Sequence, residues 1–204
     1  MRLSLNKNAL KRERDHLAMY RRYLPSLDLK RQQLARALKE AQELLGGLHI
    51  RGKQLQEQAD RLLPSLGSST VDPDQLRGLI KVRDVVLREE NVVGAKLPVV
   101  VNITIERTEY SRLTLPFWVD QFVESMEAIV RHQIHLQIGQ ERIRVLGVAA
   151  RKITQRVNLF EKVLIPKAEA NIRQISVALA DQERASVVRS KLAKKKHRRT
   201  TISE

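Results

Sequence analysis

The sequence contains no cysteine. That excludes disulfide staples, thiolate metal centres and cysteine nucleophiles together. Aromatic side chains are scarce, with Phe, Trp and Tyr making 3% of 204 residues. Compact domains draw much of their core energy from aromatic surface, so this chain must bury apolar area in another way. There is no run of eighteen apolar residues, which excludes a membrane-spanning helix. The opening MRLSLNKNALKRERDHL has no apolar stretch of signal-peptide length, so a cytoplasmic location is expected.

Acidic residues are also short: 23 Asp plus Glu stand against 38 Lys plus Arg, a net charge of +15. The imbalance is local. Residues 1–36 carry ten basic and three acidic side chains, residues 184–204 carry eight and one, and the stretch between is nearly neutral. If the two chain ends meet in space, they form one strongly basic tip.

What the chain does have is Leu, Val, Ile and Ala at helical spacing, with 30% of residues charged. That composition fits long helices burying a narrow seam. One heptad series runs Leu3, Leu10, Leu17, Leu24, Arg31, Leu38, Leu45, Gly52, Ala59. A second, three residues on, runs Asn6, Glu13, Tyr20, Leu27, Leu34, Ala41, Leu48, Leu55, Leu62. A helix over about 6–63 is expected, about 87 Å long at ~1.5 Å per residue. Pro25 should kink it, and Gly46, Gly47 and Gly52 should loosen its middle. Pro64 and Gly67-Ser68-Ser69 should end it.

The centre reads differently. Asp72-Pro73-Asp74-Gln75 has the form of a capping box opening a short helix. Residues 82–87 and 97–105 are rich in β-branched side chains, and a turn over Glu90-Asn91-Val92-Val93-Gly94 would join them as a β-hairpin over 82–105. From about Pro116 the pattern is helical again. Phe117, Trp118, Phe122, Val123, Met126, Ile129 and Val130 are expected on one face, followed by Ile143, Leu146, Ala150, Ile153, Val157, Phe160 and Leu164. After Pro166 the stripe resumes out of phase as Ile172, Ile175 and Leu179, a stutter with an expected kink. This helix should reach about Lys196, about 120 Å at ~1.5 Å per residue.

The fold class is therefore mainly α. The N- and C-terminal segments should form a long antiparallel two-helix coiled coil, with a small central region of short helix plus β-hairpin. Expected boundaries are 1–63 for the first helix, 64–115 for the centre and 116–196 for the last helix, with 197–204 as a disordered basic tail.

Several chemistries fail on inspection. The string from Gly47 to Gln54 copies most of a P-loop but lies inside an uninterrupted heptad, and Gln54 replaces the magnesium-binding hydroxyl. His132 and His135 are one helical turn apart, with Glu127 and Glu141 within reach, yet no third ligand stands out and a polar helix face explains them. Carboxylates are scattered among bases, which reads as surface pairing. No catalytic residue, cofactor site or metal site is expected, and the chain is not read as an enzyme by itself.

Longer motifs say more. Gln155-Arg156-Val157-Asn158-Leu159-Phe160-Glu161-Lys162-Val163-Leu164-Ile165-Pro166 resembles the "RVN…E…IP" signature of the D subunit of the V-type (archaeal/vacuolar-type) ATP synthases. Asn91-Val92-Val93-Gly94-Ala95-Lys96-Leu97-Pro98 resembles that family's central turn. Leu27-Asp28-Leu29-Lys30-Arg31-Gln32-Gln33-Leu34 is similar to its N-terminal "LLKxKRxxL" stretch. The resemblance implies a central stalk, or rotor shaft, coupling ion flow to ATP synthesis or hydrolysis. The implied partners are the A and B subunits of the catalytic head, the F subunit, and a funnel-shaped subunit on the proteolipid ring. It also implies a peripheral complex at the cytoplasmic membrane face, with no direct membrane span and no nucleic acid. Arg12, Arg14, Lys194 and Lys195 are then the expected head-facing cations. Asn91, Gly94, Pro98, Arg156, Asn158 and Pro166, from the matching segments, complete the candidate partner interface. The hairpin is expected to serve the F subunit or the regulation of hydrolysis. The alternative is a basic coiled coil that binds nucleic acid or acts as a scaffold. The basic segments, however, hold only Tyr20 and Tyr23 as stacking aromatics, and carry no binding motif.

Overall fold

A computed structural model describes residues 4–62, 64, 76, 78–108 and 116–200, with side chains as far as Lys194. The expected capping box at Asp72, Pro73 and Gln75 and the Gly67-Ser68-Ser69 stop lie outside these residues. The chain divides into two units, residues 1–30 with 153–204 and residues 31–152.

Helix α1 spans Lys7–Asp60, 54 residues. Asn6, an apparent flaw in the heptad, caps it: its Oδ1 accepts from the Ala9 backbone N–H at 2.7 Å. From Leu10 to Leu62, every residue of the two heptad series is buried or half-buried. Glu13 is among them, and its carboxylate accepts from Asn171 Nδ2 at 3.2 Å. α1 runs on through Pro25.

Strands β1 (Ile80–Val92) and β2 (Ala95–Arg107) form a two-stranded antiparallel ribbon. The strands are longer and the turn tighter than expected. Val92 pairs with Ala95, so Glu90, Asn91 and Val92 belong to β1 rather than to the turn. Val93 and Gly94 alone make the loop, with φ of 54° and 90°. Two positive φ values in a two-residue loop match the strand twist, which is why such hairpins favour them. The Asn91 side chain completes the turn by accepting from the Gly94 N–H at 2.8 Å. Arg83 on β1 and Val101 on β2 are extra residues opposite the partner strand, each a bulge that adds twist. Pro98 fits within β2 because a two-stranded ribbon leaves one side of each strand unpaired.

Helix α2 spans Trp118–Leu159. At its start, Val119 and Val123, each 1% exposed, close a small core with Leu79 at the foot of β1. Phe117, expected on that face, lies before the helix and is 79% exposed; Val119 takes the core position instead. Within residues 31–152, α1 and α2 pack antiparallel. A Cβ on Gly52 would stand 2.8 Å from His132 Nε2, and one on Gly139 would stand 3.1 Å from Leu45 Cδ1.

In the other unit, α3 spans Ile165–Thr200. It lies antiparallel to the first part of α1, with Arg21 on Glu169 at 2.7 Å and Lys7 on Glu183 at 3.8 Å. Between α2 and α3 sits a π-helical turn, Phe160–Leu164, in which the Ile165 N–H donates to the Phe160 carbonyl. The phase change seen in sequence is therefore a skip of one residue. Seam positions Ile153 and Phe160 are seven apart, Phe160 and Ala168 eight, and Ala168 and Ile175 seven. A wider turn takes up the extra residue and keeps the stripe facing α1. Pro166 follows this turn within a helical backbone that continues unbroken through Ile165, and its missing N–H withdraws one donor from the ladder there.

Candidate functional site

In the unit of residues 31–152, β2 lies across the paired helices. Leu97, Ile103 and Ala95 are 1, 6 and 7% exposed beneath it. Burying Leu97 and Ile103 stabilises this contact by roughly 1.5–3 kcal/mol each. Two arginines of α2 then tie the ribbon down. Arg131 Nη1 donates to the Ile103 carbonyl at 2.9 Å, and Arg142 Nη2 to Glu90 Oε2 at 3.2 Å. Arg142 Nη1 also points to the Pro98 carbonyl at 3.4 Å.

Arg131 is itself oriented by Glu127, whose Oε1 accepts from Arg131 Nη2 at 2.8 Å and whose Oε2 accepts from Arg107 Nε at 2.7 Å. The Glu127 side chain is 15% exposed. The hydrogen bonds from Arg131 and then Arg107 hold its carboxyl below the ordinary glutamate pKa. One carboxylate thus links the end of β2 to α2 and fixes the arginine that grips the middle of β2.

Beside this strap lies an open groove of about 940 Å³. Ala41, Leu44, Leu45, Gly47 and Leu48 of α1 form one wall, Ile138 and Gly139 of α2 another, and Pro98, Val99 and Val100 of β2 the third. Leu44 is 70% exposed at its rim. An apolar concavity bordered by a bare Leu is shaped to receive side chains of another molecule. Val82, Val86, Leu87 and Val101 of the ribbon add further exposed apolar surface, each between 43 and 59%.

The other unit offers charge. Lys7, Lys11 and Arg14 of α1 line a groove of about 530 Å³ with Ser176, Leu179, Ala180 and Glu183. Beyond Glu183, every residue of 184–194 is exposed, including Val187, Val188 and Leu192. This stretch of α3 presents a basic face and an apolar stripe that no described residue covers.

Of the residues singled out in the sequence, Arg12 and Arg14 are placed near the start of α1, and Lys194 is exposed far along α3. They share a unit but not a point. Lys194 lies eleven residues past Glu183, about 16 Å further at ~1.5 Å per residue. The backbone of Lys195 continues the same helix. Gly94 lies in the hairpin loop, Asn91 near the end of β1 accepts its N–H, and Pro98 lines the apolar groove. Arg156 and Pro166 lie with Asn158 on either side of the π turn, Arg156 exposed and Asn158 half-buried. Sequence reasoning missed Arg131, Arg142 and Glu127, which look like ordinary surface charge until the hairpin is laid over them. It also missed Lys7 and Lys11, whose spacing to Arg14 was the available signal.

The histidine pair resolves differently from a metal site. His132 Nε2 is buried without a hydrogen-bond partner, against the notch at Gly52. Glu127 is held by arginines and Glu141 by Arg144. Among the described residues, no three of His, Cys, Asp or Glu converge as metal ligands would. The P-loop-like string from Gly47 to Gln54 is wholly helical. No described helix is long and apolar enough to cross a membrane.

Paired helices with a hairpin strapped on by arginines and an apolar groove beside it, in one unit, and a basic helical end in the other are the parts of an interaction protein. The sequence matches the model of the family described as the D subunit of ATP synthase over residues 9–195, and the chain belongs to that family. It is 36% identical to the V-type ATP synthase D subunit of Borreliella burgdorferi over 193 residues, 95% of this chain and 94% of the relative. It is 32% identical to the protein of the same name from Chlamydia abortus and 31% to that from Chlamydia felis. Each of these alignments covers 95% of this chain and 93% of the relative. The match spans α1, the hairpin, α2 and the π turn in order.

Proposed function

We propose that this chain is the central stalk of a V-type ATP synthase, a rotor that couples ion translocation through a membrane ring to ATP synthesis or hydrolysis in the catalytic head. The observation that carries this reading is the family match across both terminal helices, joined to their antiparallel pairing in each unit. The shaft does no bond chemistry. Its work is to present different faces to the catalytic interfaces as it turns, shifting each between conformations of unequal nucleotide affinity. Such a shift requires differential contacts and nothing more.

The basic end, with Arg12, Arg14, Lys194 and Lys195, faces the A and B subunits of the head. Charge there serves placement and encounter more than net affinity. The groove and the hairpin turn, with Pro98, Asn91 and Gly94, receive the F subunit. The segment around Arg156, Asn158 and Pro166 belongs to the same set of partner contacts. A funnel-shaped subunit joins the shaft to the proteolipid ring, and the complex sits at the cytoplasmic face of the membrane. The test is affinity purification of the tagged chain from its native cells. Recovery of two large nucleotide-binding subunits and one small subunit is expected. Recovery of the chain with nucleic acid and without those subunits would refute the proposal.

A further inference from the structure

Eight residues separate Phe160 from Ala168, and eight separate Val157 from Ile165, where the seam of α1 asks for seven. One residue must therefore stand outside α-helical register between these points. The flanks are locked: Val157 is 2% exposed, Ala168 3% and Ile175 0%. The turn between them is not. It contains no fully buried residue; Phe160 and Leu164 are half-buried, and Val163 is 49% exposed. Its aromatic contact is the edge of Phe160 on Tyr20, with ring centroids 5.4 Å apart. Backbone bonds of the wide i→i−5 kind, poorer in geometry than α-helical ones, carry most of the local order. At the C-terminal side, Pro166 has no N–H with which to extend either pattern, so the turn cannot spread into α3.

We propose that Phe160–Leu164 is a built-in torsional joint. The skip leaves a loosely packed link between two tightly packed stretches of seam, and there the helix twists by small amounts while both stretches keep their partner. Small changes of pitch within the wide turn twist one flank slightly against the other, whereas tightening it fully to an α-helical turn would swing Ala168 and Ile175 off α1. Its use as a compliance in a rotating shaft rests on the function proposed above, whereas the softness itself does not.

Hydrogen exchange of the full-length chain, read by mass spectrometry, tests the softness. Amides of 161–165 should exchange at least about ten-fold faster than those of 150–157 and 168–175, as expected of a locally opening segment. Equal protection across all three would overturn the joint. Deleting Val163 together with Pro166→Ala restores a spacing of seven throughout. Exchange at this level should then fall to that of the flanks, while Pro166→Ala alone keeps the spacing of eight and stays fast. Persistent fast exchange in the deletion variant would show that the skip is not the cause. In the assembled complex, the deletion variant should narrow the angular fluctuation of the rotor. Unchanged fluctuation in a variant whose exchange has slowed would overturn the torsional role.

Discussion

Glu127 carries more of this structure than its position on an amphipathic helix suggests. Its carboxyl is held below the ordinary value by Arg131 and Arg107, so the unfolded chain takes up a proton there first as pH falls. The stabilisation is complete above the ordinary value of about 4.5 and is lost as pH drops through the lower folded value. Glu127→Gln should therefore lower stability at pH 7 by about 1 kcal/mol, a figure reduced by the exposure of both arginines. The gap to wild type should close in acid, as measured by urea unfolding at several pH values. Val93 is the opposite case. A β-branched residue at φ 54° is strained, so Val93→Asn should raise stability by roughly 0.5–1 kcal/mol. Glycines divide by what surrounds them. Gly52→Ala drives a methyl into His132 and should destabilise by about 1–2 kcal/mol. Gly47 has nothing within 4 Å, and Gly47→Ala should stabilise by roughly 0.5–1 kcal/mol. Because Gly47 also lines the apolar groove, the same change should weaken the F-subunit capture proposed for that groove, a split that thermal melting and pull-down would read separately.

Among the elements, α1 was the most legible. A seven-residue repeat without insertions maps each side chain to a face, and residues from Leu10 to Leu62 fall where the repeat puts them. The hairpin was legible in kind but not in detail. Propensity marked β-branched runs, yet strand length depends on pairing, and Val92 on Ala95 closes a tighter loop than the Glu90-to-Gly94 composition implied. The C-terminal helix was legible as a phase change, and packing against α1 decided that one residue was added and that a π turn absorbs it. The strap was not legible, because nothing local in Arg131 or Arg142 marks them as donors to β2. Arg131→Ala should speed amide exchange in 97–103 while leaving 34–48 protected. Equal change in both segments would mean that the arginine supports the helix pair rather than the ribbon.

For the whole molecule, the uneven distribution of charge is the property that acts at the longest range. The ends of the chain carry nearly all of the net +15, and one unit contains both ends. Reversing Arg12, Arg14, Lys194 and Lys195 together should slow association with the catalytic head by about ten-fold or more at low salt. The defect should shrink at high ionic strength, as screening predicts. Stopped-flow association at two salt concentrations checks it, and a salt-independent defect would point to lost packing instead. Removing the ribbon of residues 80–107 should abolish the proposed capture of the F subunit yet leave the proposed binding to the head, and loss of both would assign the hairpin to the fold itself.

The sequence by itself determined the helical character, the seam of α1, the presence of a hairpin, the basic ends and the family. Each follows from periodicity, propensity, composition or motif, which can be read along the chain. Only the tertiary structure decided which charges grip the ribbon, where Gly52 admits His132, and how a skipped residue is hidden in a wider turn. These depend on groups brought together from distant parts of the chain, where steric fit and hydrogen-bond satisfaction, rather than local preference, choose the partner.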